Sequence, residues 1–137
     1  MDRVAKVFID GASRGNPGPA GIGVLVLDEH ENEIRRISEK ISDTTNNVAE
    51  YKALLKAIIE CQKLHFSSVH FFTDSQLLAR QVNGMYKIKD EKLKSLYVKV
   101  RGKLLGFKNW EVIHISREKN LIADKLANNS FKETSSK

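Results

Sequence analysis

Three features of the sequence predict an α/β domain in which helices pack on a mixed sheet. Strand-like apolar runs come first, helix-like and strand-like periods then alternate, and 137 residues suffice for one core but not two. Residues 4–10 alternate as a first strand, in which Asp10 closes the run Val7-Phe8-Ile9 and opens a glycine-rich turn from Gly11 to Gly18. Ile22 to Leu27 is a second apolar run, bounded by the polar turn at residues 28–32. A third, more polar strand runs through Ile34, Ile37 and Ile41, which makes an antiparallel meander. The period then changes. Val48, Tyr51, Leu55, Ile58 or Ile59 and Gln62 recur at helical spacing, so residues 47–64 read as a long helix. Asn47 with Glu50 three residues on has the pattern of a capping box. Residues 68–73 form a short buried strand, and Ser75 to Val82 a short helix ending at Asn83-Gly84. A basic helix over residues 90–105 stops at Gly106, Trp110 to Ile115 alternates as the last strand, and a final helix runs from Asn120 to about Phe131. The domain is expected to occupy residues 1–131, with 132–137 a frayed tail.

With 41% hydrophobic and 29% charged residues, the composition is that of an ordinary soluble globular protein. No apolar stretch approaches membrane-spanning length, and Met1-Asp2-Arg3-Val4 enters a strand at once, leaving no room for a signal peptide. Cys61 is the only cysteine, so no internal disulfide can form, which suits a reducing, cytoplasmic setting. Its place within a helix reads as a small core hydrophobe. The net charge of +6 is concentrated: residues 80–108 hold nine basic and two acidic side chains, and the rest of the chain fourteen and fifteen. A lone lysine-rich helix reads equally well as a solvated face. Beside a cluster of carboxylates it reads as the surface that holds a polyanion.

That cluster is implied by four acidic residues. Asp10 and Asp74 end strand-like runs, whereas Glu50 and Asp124 lie near the starts of helix-like segments. Strand ends and helix starts are where an α/β domain gathers distant residues. Taken singly each has a local explanation: a turn residue, the reciprocal half of a capping box, a helix cap and a charge at a helix start. Taken together these do not account for the neighbouring basic segment or the glycine-rich turn. Crowded carboxylates stay ionised when cations lie between them, and hard divalent cations with oxygen ligands are the natural partner. Two metals roughly 3.5–4 Å apart serve both ends of an in-line phosphodiester hydrolysis. Nothing points to zinc, since there is one cysteine and no closely spaced histidine pair.

The set D-G-x-x-x-G-N-P-G-P-A-G, T-N-N-x-A-E, T-D-S-Q and R-E-x-N-x-x-A-D-x-L-A, in that order from about Val4 to Ala127, resembles the type 1 ribonuclease H family. The resemblance implies a five-stranded mixed sheet of order 3-2-1-4-5. It also implies endonucleolytic cleavage of the RNA strand of RNA–DNA hybrids, leaving 5′-phosphate and 3′-hydroxyl ends. Two Mg2+ ions, or Mn2+, would be held by Asp10, Glu50, Asp74 and Asp124. Residue by residue, it places the turn with Gly11, Ser13 and Asn16 beside the RNA strand, where 2′-hydroxyls distinguish RNA from DNA. Thr45, Asn46 and Asn47 would line the groove, with Ser75 and Gln76 across from them. Thr45 and Asn16 would face the phosphate of the DNA strand. Lys87 and Lys89 of the basic segment would grip phosphates. The family's loop histidine maps ambiguously: His114 stands ten residues before Asp124 and Arg117 seven, and Arg117 better fits a mobile loop. Residues 84–90 pass directly into one helix, so this is a compact form without the basic insertion some members carry. A monomer without an evident protein partner is expected. The alternatives are an inactive nucleic-acid-binding module of the same fold, or a nuclease or integrase relative with other chemistry.

Overall fold

A computed structural model describes residues 3–131; the tail expected at residues 132–137 lies outside them. The chain order is β1 (Val4–Ser13), β2 (Gly18–Leu27), β3 (Glu33–Thr44), α1 (Asn46–Lys63), β4 (Ser68–Thr73), α2 (Gln76–Val82), α3 (Glu91–Leu104), β5 (Asn109–His114), a short 3-10 turn at Arg117–Lys119 and α4 (Leu121–Asn129). The sheet order is β3-β2-β1-β4-β5. β1, β2 and β3 are antiparallel, and β4 runs parallel to both β1 and β5. The expected mixed sheet and its order are therefore present. Among the described residues no helix is long and apolar enough to cross a membrane.

Asp10 does not end its strand. β1 continues through Gly11, Ala12 and Ser13, which pair with Ile22, Gly21 and Ala20. β2 correspondingly begins at Gly18, and the connection shrinks to Arg14–Pro17. Of the glycines that read as turn residues, Gly11 is required by a helix crossing the sheet. A Cβ on Gly11 would lie 2.2 Å from the carbonyl carbon of Ala49 in α1. On the other face a Cβ on Gly23 would lie 2.3 Å from the Ala123 carbonyl oxygen in α4. Gly21 and Gly23 of β2 thus make room for α4. The two helices are drawn onto opposite faces of β1 and β2, and the ends of both reach the same region.

The core lies on the α1 side. Ala5, Val7 and Ile9 of β1, Val24 and Val26 of β2 and Phe71 of β4 are fully buried against Leu54, Ala57, Ile58 and Cys61 of α1. Truncating a side chain such as Leu54 to alanine would cost about 2–5 kcal/mol. Cys61 behaves as the core hydrophobe expected, with burial pushing its thiol up to about 12. α3 lays Leu93, Leu96, Val100 and Leu104 against this layer. Three of the four α-helices are capped by a side chain: Thr45, Ser75 and Asp90 accept from Val48, Leu78 and Leu93 N–H, whereas α4 starts at Asn120 without a side-chain cap bond. The expected Asn47–Glu50 capping box is absent, because Thr45 takes the cap and Glu50 turns inward across the sheet.

Candidate active site

Four elements supply the carboxylates. Asp10 comes from the middle of β1, Asp74 from just past β4, Glu50 from the second turn of α1 and Asp124 from the first turn of α4. Carboxylate oxygens of Asp10, Glu50 and Asp74 all lie within 4.8 Å of one another. Asp10 and Glu50 are buried, each 5% exposed. Glu50 Oε1 accepts from the Gly11 N–H at 3.0 Å, a bond that depends on the side-chain-free approach of α1 to Gly11. Asp74 does not cap α2, since Ser75 does so, and its carboxylate faces the cluster. Asp124 lines the same cavity of about 250 Å³ beside Asp10, outside the mutually close group of three. Its Oδ1 lies 3.2 Å from Asn128 Nδ2 and 3.6 Å from the Arg117 guanidinium.

The electrostatics are those of a site short of positive charge. Burial, then the neighbouring Asp74 charge, then Asp124 push the Asp10 carboxyl up to about 8, against a lesser opposing effect of Arg117. Glu50 is likewise raised, first by burial and then by Asp10, with the Gly11 N–H acting in the other direction. Hard oxygen donors converge here, and their own repulsion opposes ionisation. A divalent cation relieves that repulsion, so the residues present fit the Mg2+ or Mn2+ expected.

The remaining expected site residues fall into three places. Gly11, Ser13 and Asn46 line the cavity, as does Arg117. The Ser13 N–H donates to Asn46 Oδ1 at 3.2 Å and the Asn46 N–H to Asn16 Oδ1 at 3.0 Å, tying the β1–β2 connection to the start of α1. Next to it, Asn16, Thr45 and Asn47 line a second cleft of about 480 Å³ together with Asp90 and Lys92 of the α3 start. Lys87 and Lys89 lie elsewhere, with Tyr86, Lys94 and Tyr97 around a third cleft. Ser75 Oγ is engaged by Leu78 N–H, Gln76 is exposed, and neither lines the carboxylate cavity. Of the two loop candidates, Arg117 lines the cavity. His114 ends β5 opposite Thr73 and is exposed away from it.

Two residues without an assigned role also meet here. Asn120 Nδ2 faces Asp74 Oδ2 at 3.4 Å, and Asn128 bonds both the backbone and the side chain of Asp124. The signal was spacing: Asn120, Asp124 and Asn128 recur every fourth residue, which places them on one helical face.

The reverse transcriptase-like family profile matches residues 8–130. The chain belongs to the ribonuclease H family. It is 36% identical over 132 residues to ribonuclease HI of Halobacterium salinarum, covering 95% of this chain and 66% of that protein. It is 36% identical over 129 residues to a bifunctional protein of Mycobacterium tuberculosis, covering 92% of this chain but 35% of the relative's length. Among solved structures, a ribonuclease H1 isolated from compost and crystallised with an RNA/DNA hybrid superposes with a TM-score of 0.88 at 40% identity, covering 93% of this chain and 96% of that one.

Proposed function

We propose that this protein is a metal-dependent endonuclease that hydrolyses the RNA strand of RNA–DNA hybrids, with residues 1–131 as its catalytic domain. The observation that carries the reading is the convergence of Asp10, Glu50 and Asp74 within 4.8 Å in a site where ionisation is opposed. The hybrid bound by the compost ribonuclease H1 supports the substrate. Two Mg2+ ions, or Mn2+, held by Asp10, Glu50, Asp74 and Asp124 would supply an activated water and neutralise charge on the departing 3′ oxygen.

The chain's own groups do the rest. Gly11 N–H holds Glu50 pointed into the site. Arg117, the cation beside Asp124, is placed to meet the scissile phosphate or help the product leave, and it takes the loop role in preference to His114. Gly11, Ser13 and Asn46 form the wall that would lie against the sugar edge of the RNA strand. Thr45, Asn16, Asn47 and Lys92 form the second wall, where a phosphate of the DNA strand would sit. Ser75, Gln76, Lys87 and Lys89 act further along the duplex. The reading takes the protein as a cytoplasmic monomer, in keeping with Cys61 as a buried, unreactive thiol.

The test is a strand-labelled cleavage assay on RNA–DNA hybrid, double-stranded RNA and double-stranded DNA, with Mg2+ or with chelator. Cleavage confined to the RNA of the hybrid and abolished by chelator is expected. Cuts in the DNA strand, or cleavage surviving excess chelator, would sink the proposal. Tight hybrid binding without cleavage would favour an inactive binding module.

A further inference from the structure

Asn120, at the junction of the 3-10 turn and α4, is 1% exposed. Three contacts converge on it. Its Nδ2 donates to the carbonyl of Ile9 at 2.9 Å, one residue before Asp10. The same nitrogen faces Asp74 Oδ2 at 3.4 Å. Its own carbonyl accepts the Asp124 N–H at 3.1 Å, closing the first turn of α4. The side chain therefore touches the strand that carries Asp10 and the carboxylate of Asp74, and the backbone of the same residue starts the helix that carries Asp124.

The amide can face only one way. Rotating it by half a turn would set Oδ1 against two oxygens, the Ile9 carbonyl and the Asp74 carboxylate, neither of which donates. In the orientation observed, Oδ1 is buried without a hydrogen-bond partner. A buried unsatisfied acceptor is a standing cost to stability, and natural sites that keep one have a reason for it. A side chain chosen for packing alone would be apolar. An aspartate would oppose oxygen to oxygen, and a lysine or arginine would be too long and would carry a charge. A short, neutral group with two donors is what these two oxygens require.

We propose that Asn120 is a positioning residue for the cation site, its amide fixing the orientation of the Asp74 carboxylate relative to Asp10. The inference rests on the reading of the site as a cation-dependent nuclease centre. Asn120 touches neither cation nor substrate; it acts through Asp74. Outer partners of metal-binding carboxylates commonly contribute 10- to 100-fold to metal affinity or activity. The 3.4 Å contact is long, so the lower end of that range is the expectation.

The experiment compares wild type, Asn120→Ala and Asn120→Ser, the serine retaining one hydroxyl donor. Mn2+ binding is followed by titration calorimetry, hybrid affinity is measured in chelator, and kcat and KM are taken at a temperature well below each protein's melting point. For Asn120→Ala, Mn2+ affinity and kcat should each fall about tenfold, while hybrid affinity in chelator stays at the wild-type value. Asn120→Ser should fall between the two proteins. In an Asp74→Asn background, Asn120→Ala should weaken Mn2+ binding little further, because the carboxylate it orients is gone. A lowered melting temperature with wild-type Mn2+ affinity and kcat would make Asn120 a purely structural residue and overturn the proposal. So would an equal loss of Mn2+ affinity in both backgrounds. If Asn120→Ala does not fold, the serine variant and its Asp74→Asn double decide by the same criteria. Wild type that binds Mn2+ but cuts no hybrid would refute the nuclease reading while leaving the role of Asn120 to be scored on binding. Wild type that binds no Mn2+ would overturn both.

Discussion

Replacing Asp10 with asparagine should stabilise the cation-free protein at neutral and alkaline pH. Asp10 is 5% exposed, faces Asp74 and Asp124, and holds its proton to about pH 8 against an ordinary value of 3.8. In the unfolded chain the same carboxyl ionises near pH 4. Between those limits the folded protein carries a proton that the unfolded chain has lost, so stability falls as pH rises. The stabilisation is fully present below about pH 4 and gone once pH passes about 8. A gap of about four pH units corresponds to a ceiling on the order of 5 kcal/mol. Glu50 is raised in the same sense and shares the repulsion, so part of the pH dependence survives without Asp10. Asparagine cannot ionise, and its amide can donate to the carboxylates that repelled Asp10. Asp10→Asn should therefore match wild type near pH 4 and exceed it by roughly 2–4 kcal/mol at pH 8 in chelator. Millimolar Mg2+ should stabilise wild type strongly at pH 8 and the variant much less. Urea unfolding at several pH values from 4 to 8.5, with chelator and with Mg2+, makes the measurement. A variant less stable than wild type at pH 8 in chelator would refute the reasoning. Asp10 would then be held by its neighbours rather than repelled by them.

Other outcomes follow from the same geometry. Gly11→Ala would put a Cβ 2.2 Å from Ala49, where ordinary contact begins at 3.4 Å, so α1 must move by about 1 Å. Urea denaturation should show a loss of about 1–3 kcal/mol or more, and activity should fall further than stability because Glu50 moves with the helix. Arg117→Ala should lower kcat about tenfold or more with little change in KM, whereas His114→Ala should remain near wild type; the reverse pattern in steady-state kinetics would return the loop role to His114. Lys92→Gln should weaken hybrid binding in Asp74→Asn protein and reduce the salt slope by about one, and joint neutralisation of Lys87 and Lys89 by up to about two if both touch phosphate. A series of affinities across salt concentrations checks both, and an unchanged slope marks those lysines as a solvated face.

Where sequence and structure part company, the deciding contact lies far away along the chain. Apolar runs and alternation placed the strands and helical spacing placed α1, since such patterns report which side of one element faces the core. The end of β1 was misread because Gly11 looks like turn chemistry. Its actual constraint is the backbone of Ala49, across the sheet, and no local pattern encodes that crossing. The Asn47–Glu50 pair fits a capping box in spacing, yet Glu50 finds its donor on Gly11, 39 positions earlier. The same distance effect divides the lysines: charge density marks residues 80–108 as one block, but the fold sets Lys92 beside Thr45 and sends Lys87 and Lys89 to another cleft. The carboxylates were legible because each carries its own local mark. A supporting residue such as Asn120 is marked as one position of the last motif, four residues before Asp124, but nothing in the sequence shows what it contacts. Its chemistry is set by the two oxygens that β1 and β4 place against it. The carboxylates that four separate elements bring to one cavity can thus be read from a sequence, whereas the groups that contact them become visible only when the strands are in register.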